Sequence, residues 1–321
     1  MIKSIKWSGK VITEPGCYAA VPLSTYHRHD ICDGPSISST GLRSIYGEDA
    51  SPKHFYSKWP GNPQRIIKPE PKHFIIGRAL HHLLLGEAYF SKLFCIRPDE
   101  FPDRSTGELR AWNSNRLECK KWLRERAREG RAVLTIKDAE TLRNMAVSVE
   151  NHPLVKAGGL NGQIERSIFW KDKETGVWLK WRPDAIPVDS ALFVDLKTTR
   201  SARGNALPVT MDKFGYYRQA ALGREACRNV LDMEMESFTF LFVEKEDPWH
   251  TRDMRCHDDD LDLGVRENRA ALQLFAKCFK ENRWPGPGDG NEFNERVRLS
   301  DAARERRESN LQHSGFEGKT S

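Results

Sequence analysis

The chain has 321 residues, of which 38% are hydrophobic and 30% charged, with a formal net charge of +6. That length can bury a substantial core, while no apolar run reaches the roughly 18 to 20 residues of a membrane span and the first ten residues lack the apolar centre of a secretory leader. A soluble, cytoplasmic protein without a membrane partner is therefore expected; the mild positive charge permits a polyanionic partner without demanding one, and seven scattered cysteines with no Cys-x-x-Cys argue against a disulfide framework, thiolate-held zinc or an iron–sulfur cluster.

In chain order, weak alternation over 7–20 around Pro15-Gly16 suggests a short hairpin or extended arm. His27 and His29 read more readily as a polar loop than as a ligand pair, and Ser39 or Thr40 could cap a short helix over 41–46. Three prolines mark 61–71 as a loop. Helical spacing begins near Phe74, with Ile76, Leu80, Leu83 and Leu84 as an apolar stripe ending near Gly86. His81 lies one turn after Gly77 on this helix; by itself it is more often a satisfied core group than a ligand. The charged run 109–129 predicts a solvated outer helix, and 137–151 predicts another, stopped by His152-Pro153.

Three strand-like runs follow at 164–170, 177–186 and 192–197, with turn chemistry at Pro187, Asp189 and Ser190, so a three-stranded meander is expected. Its register could bring Asp184 alongside Asp195, with Glu165 as a third carboxylate. The loop 198–204 is basic and hydroxyl-rich, and places Arg200 and Arg203 for contact with a phosphate backbone. A helix over 213–231 carries Tyr217 and Gln219; strands at 237–243 and 250–256 and a long helix over 258–282 complete the body. From 285 the composition predicts a disordered tail. The expected organisation is an N-terminal arm with a small helix over 1–60, a core over 61–284 and a tail over 285–321. The class is α/β (α+β), with a central mixed sheet flanked by helices.

The chemistry concentrates at Asp184, Asp195 and Lys197. On a strand, Asp195 and Lys197 share a face while Leu196 turns inward. Two neighbouring carboxylates repel unless a cation lies between them, and hard oxygen ligands suit Mg²⁺. An ammonium beside them could hold the water that attacks a phosphodiester. Other Pro-Asp pairs occur at Pro98-Asp99 and Pro102-Asp103, but only Asp184 and Asp195 combine both halves in strand context. The bland alternative is a solvated hairpin with an ordinary salt bridge.

Five motifs in this order resemble the PD-(D/E)XK nuclease superfamily and, within it, the RecE-like (exonuclease VIII type) exonucleases of phages and prophages: GRALH at 77–81, IERSIFW at 164–170, RPDAI at 182–186, VDLKTT at 194–199 and GYYRQAA at 215–221. The stretch 26–45 is similar to the N-terminal signature of the same group. The resemblance implies a restriction-endonuclease-like core in which Asp184 and Asp195 bind Mg²⁺, or Mn²⁺ in its place, with His81 and Glu165 supporting that shell. It implies that Lys197 positions the water and that Gln219 contacts substrate or lysine; Tyr217 joins Arg200 and Arg203 as a candidate DNA contact. Where related nucleases often carry Tyr four residues after the Gln, this chain has Gly223. The implied activity is ATP-independent, 5′-to-3′ digestion of linear duplex DNA ends in the host cytoplasm, leaving 3′ tails for a single-strand annealing protein, by a ring-shaped homo-oligomer. An endonuclease on the same metal face, or a catalytically silent DNA-binding protein of the same fold, are the competing expectations.

Overall fold

All eight residues of the strand Ser237–Glu244 are buried, and the fold is layered around it. It is the middle strand of three in a computed structural model that describes residues 2–48, 50–67, 70–86, 90–286 and 298–313. Leu192–Thr199 runs parallel to it, in register from Leu192 opposite Ser237 to Thr199 opposite Glu244, and Thr251–Arg255 pairs antiparallel on its other side.

Alternation along these strands separates two apolar layers. Phe238, Phe240 and Phe242 pack with Phe193, Trp181 and Phe275, while Leu241 and Val243 pack with Val194, Leu196, Leu80 and Met145. The three phenylalanines are at most 1% exposed, and each such burial stabilises by roughly 1.5–3 kcal/mol. Helices Tyr216–Ala226 and Asp258–Glu281 line the first layer; Lys72–Leu85 and Ile136–Glu150 line the second. The last of these four to be named starts on a capping box between Thr135 and Asp138.

A parallel pair requires a crossover, and residues between Thr199 and Ser237 supply it as helices Ala206–Lys213 and Tyr216–Ala226. The helix expected over 213–231 begins at Tyr216, after a break that separates it from Ala206–Lys213, and closes with the π-helical turn Cys227–Leu231. The break is at Gly215, whose φ of 55° is left-handed and where a Cβ would lie 2.8 Å from Arg43 Cδ.

A second sheet has the order Ile5–Lys6, Gly16–Ala19, Ser167–Lys171, Trp178–Trp181, Ser36–Ser38. The N-terminal segment is therefore woven into a sheet with residues from the middle of the chain. The expected meander is corrected: its first two runs pair antiparallel, but Leu192–Thr199 leaves them for Ser237–Glu244. The 164–170 run is also interrupted, with Gln163–Ile164 pairing Ala185–Ile186 and Ser167–Lys171 pairing Trp178–Trp181.

The outer helix is shorter than expected. Leu109–Ala111 is a strand paired with Glu100–Pro102, because Asp103 Oδ1 accepts from the Ser105 and Thr106 amides and closes a turn, and the helix begins only at Leu117. Asp301–His313 forms a helix where a disordered tail was expected, its start held by Ser300 Oγ accepting from Ala303 N. The remainder of the expected tail, 287–297 and 314–321, lies outside the described residues. Among the described residues no helix is long and apolar enough to cross a membrane.

Candidate active site

Leu192–Thr199 is an edge strand, so every second amide along it points away from Ser237–Glu244 and needs another acceptor. Asp184 provides one: its Oδ2 accepts from Leu196 N at 2.6 Å. It can do so because Pro183, without an N–H, stands where the Trp178–Trp181 ladder ends. The same Oδ2 lies 3.3 Å from His81 Nε2, reaching over from helix Lys72–Leu85. His81 Nδ1 in turn sits 2.9 Å from the Gly77 carbonyl, which orients the ring.

Asp195 and Lys197 project together from this strand, as its alternation requires. The Lys197 ammonium closes on Asp195 Oδ2, and Gln219 Nε2, from the crossover helix Tyr216–Ala226, donates to Asp195 Oδ1 at 2.7 Å. Lys197 Nζ also lies 5.3 Å from the Tyr216 ring centre and 5.7 Å from that of Phe240, a cation–π setting. Side-chain exposure rises outward, from 3% for Asp195 through 16% for Asp184 and 19% for Lys197 to 30% for His81. The cluster is therefore buried at one end and open at the other.

The electrostatics divide the two acids. Burial raises the Asp184 carboxyl, but His81, Lys197 and the Leu196 amide outweigh it and hold its pKa below the usual value. Burial and the charge of Asp184 push Asp195 up against the pull of Lys197. For His81, burial opposes the charged form, yet Asp184 raises the imidazole pKa to about 9. Lys197 is likewise held up against burial by both acids.

A divalent ion fits this donor set. Asp195 Oδ2 is buried and, although it touches the lysine head, forms no hydrogen bond of normal geometry. Among the described residues no group of three or more His, Cys, Asp or Glu side chains is gathered closely enough to hold a metal ion without water or substrate. Two carboxylates and an imidazole that leave positions to water and substrate suit Mg²⁺ or Mn²⁺ rather than a structural metal.

Glu165 and Tyr217 are placed differently from expectation. Glu165 adopts a φ of 53°, and its amide approaches the Asp184 carbonyl at 3.3 Å, but its carboxylate is taken by Arg182 at 3.0 Å. It does not join the acid pair, because the left-handed residue interrupts the alternation that pointed it there. Tyr217 donates to Glu267 at 2.5 Å, and it is Tyr216 that lies against Lys197. Arg200 and Arg203 are exposed just past the strand.

Arg43, unremarked in the sequence, stands beside Tyr216 and near Asp195; burial lowers its pKa to about 10. Its guanidinium donates to the Phe214 carbonyl. The only signal for it was its place on a short polar helix inside the N-terminal motif. Gly223 now has a reason: a Cβ there would lie 2.6 Å from Trp181 Cζ2 and 2.9 Å from Cε2. The indole occupies the space a larger side chain would need. Gly223→Ala is expected to cost about 1–3 kcal/mol through overpacking, measured by urea denaturation; an unchanged midpoint would show that Trp181 yields freely.

Residues 38–295 match the model of the family described as PDDEXK-like domain of unknown function (DUF3799). The chain belongs to this family. The PDDEXK-like match contains every residue of the cluster, from His81 to Gln219, and supports a nuclease hydrolase with a restriction-endonuclease-like fold. A protein from Eubacterium rectale, named "Putative exonuclease", shares the fold with a TM-score of 0.54 at 11% identity, over 88% of this chain and 94% of its own. A second structure, SSO0001, aligns at a TM-score of 0.26 and 14% identity over 65% of this chain and 88% of its own, too loosely to bear on the fold. No curated protein matches the sequence.

Proposed function

We propose that this PDDEXK-like protein is a divalent-metal-dependent, ATP-independent exodeoxyribonuclease of the RecE-like type, degrading the 5′-ended strand of linear duplex DNA. The observation that carries the reading is the meeting of Asp184, Asp195, Lys197 and Gln219 at the free edge of one strand, with His81 alongside.

Asp184 and Asp195, with His81, would hold Mg²⁺ or Mn²⁺. When bound, such an ion neutralises charge building on the phosphate and favours ionisation of water. Lys197, which both acids hold in its charged form, orients the attacking water and steadies charge on the phosphate from Nζ. Gln219 fixes Asp195 by occupying Oδ1, which leaves Oδ2 for the ion. The Tyr216 and Phe240 rings keep the lysine head from swinging into solvent. Arg200 and Arg203 contact the DNA backbone beyond the cut. A single-strand annealing protein receiving the 3′ tails, a ring of identical subunits and a bacterial host cytoplasm complete the reading by resemblance.

The test is incubation with 5′-labelled and 3′-labelled linear duplexes and a covalently closed circle, each with and without Mg²⁺. Early release of the 5′ label, an intact circle and no reaction in EDTA are expected. Nicking of the circle would make the protein an endonuclease, and early loss of the 3′ label would reverse the polarity.

A further inference from the structure

The helix Leu117–Arg128 carries more positive charge than its own stability explains. Lys120, Lys121, Arg124 and Arg128 are exposed, and at 100° per residue they fall within one arc of about 100°. Both acids of this helix are engaged elsewhere, Glu118 by Arg116 and Glu125 by Arg126. Among the described residues the four basic groups have no acidic partner; Arg124 Nε touches only the Lys120 carbonyl, at 3.3 Å. An ordinary solvated face mixes signs, because opposite charges four residues apart stabilise a helix. Here the spacings 120/124 and 124/128 set like charges together, which destabilises a helix.

The helix is also held rigidly. Its other side buries Cys119 completely, and the Trp122 ring meets Trp112 edge-on at 5.4 Å, with Trp112 against Phe101 at 5.6 Å. Arg126 and Arg97 lie over Trp122 and Trp112 at 5.2 and 5.3 Å. The unit joins the site through Phe94, whose strand Phe94–Ile96 pairs with Ala132–Leu134 and whose ring lies under Arg78 of the helix that carries His81.

We infer that this helix face is a docking strip for the phosphate backbone of duplex DNA outside the cleavage site. The inference rests on the nuclease reading and adds a second contact region to it. From 120 to 128 the strip is about 12 Å long, enough to set its four cations against neighbouring phosphates of a duplex. A like-charge strip on a rigid base is compensated when a polyanion lies along it.

The test compares the intact protein with K120Q/K121Q/R124Q/R128Q, and with K3Q/K6Q/K10Q as a control for lost surface charge. Glutamine keeps helix propensity, and thermal melts verify the fold. Binding to a 30-base-pair duplex is followed by anisotropy in EDTA between 50 and 200 mM KCl. Each lost phosphate contact lowers the slope of log K against log salt by about 0.9, so the quadruple variant should lose about 3 and the control nothing. The same proteins are assayed with Mn²⁺ on bis(p-nitrophenyl) phosphate, too small to reach the strip, where the quadruple variant should match the parent. An unchanged slope in the quadruple variant, or an equal loss in the control, overturns the docking strip whatever the hydrolysis result. A parent that hydrolyses neither DNA nor the small diester fails the nuclease reading instead, and an unaltered salt slope is not required for that failure.

Discussion

Asp195→Asn and Lys197→Ala should each reduce digestion of linear duplex DNA by about 10²–10³-fold, the range in which one preorganised charge-stabilising group acts. The two losses should have different signatures. Asp195→Asn keeps the shape and the contact with Gln219, but removes the charge from the one carboxylate oxygen among the described residues that is buried without a proper hydrogen bond. Isothermal titration with Mn²⁺ should therefore show metal affinity falling together with rate. Lys197→Ala removes the cation that competes for that oxygen, so metal should bind at least as tightly while hydrolysis is lost. Full activity in either purified variant would remove that residue from the chemistry, and equal metal affinity in parent and Asp195→Asn would take Asp195 out of the proposed metal shell. Both variants should remain folded, since neither side chain belongs to the apolar layers around Phe240 and Leu241.

The shared face of Asp195 and Lys197 was legible because it follows from a period of two and needs no knowledge of what the strand pairs with. Where Asp184 comes from was not. A hairpin was the local solution, but Leu192–Thr199 pairs with a strand about forty residues further on, and nothing in either sequence names so distant a partner. The acid still arrives, through a side-chain bond to the free edge rather than through cross-strand register. Gln219 arrives because the crossover demanded by a parallel pair must pass over that face. Glu165 shows the opposite case: its alternation was correct for a regular strand and was defeated by one left-handed residue and a nearby guanidinium, neither visible as a local pattern. His81 was ambiguous from helical spacing and was singled out only by the motif order; the structure sets its Nε2 3.3 Å from Asp184 Oδ2. The hairpin at 100–111 had a turn signal in Asp103, Ser105, Thr106 and Gly107, overridden by the helical composition that follows it.

Arg218→Met should be the most destabilising single change outside the apolar core. Its residue is 3% exposed, and its guanidinium donates to Asn268 Oδ1 at 3.2 Å, Tyr46 O at 2.7 Å and Leu42 O at 3.1 Å. Two of those acceptors are backbone carbonyls at the C-terminal end of the helix Ser39–Ile45: Leu42 O, which also accepts from Tyr46 N at 3.3 Å, and Tyr46 O, which lies past the last turn. Arg218 thus joins that helix to Tyr216–Ala226 and Asp258–Glu281, which approach so closely that a Cβ on Gly264 would lie 2.8 Å from Ala221 Cβ. Methionine fills much of the volume but takes the charged donor away from Tyr46 O and Asn268 Oδ1 and leaves Leu42 O only its bond from Tyr46 N. Removing one member of a buried charged network costs about 3–5 kcal/mol. Asn268→Ala, which also loses the bond from Asn268 Nδ2 to the Arg218 carbonyl at 2.9 Å, should cost less, about 1–3 kcal/mol. Because the two side chains share one bond, the double variant should cost less than the sum of the singles, with a coupling of about 0.5–3 kcal/mol. Strict additivity in urea titrations would mean that they act separately. The consequence reaches the site, because the tethered Ser39–Ile45 helix carries Arg43 beside Tyr216, and Tyr216 lies against Lys197. A folded Arg218→Met protein should therefore turn over DNA more slowly even below its melting range, while Asn268→Ala, which leaves the contacts to Leu42 and Tyr46 in place, should not.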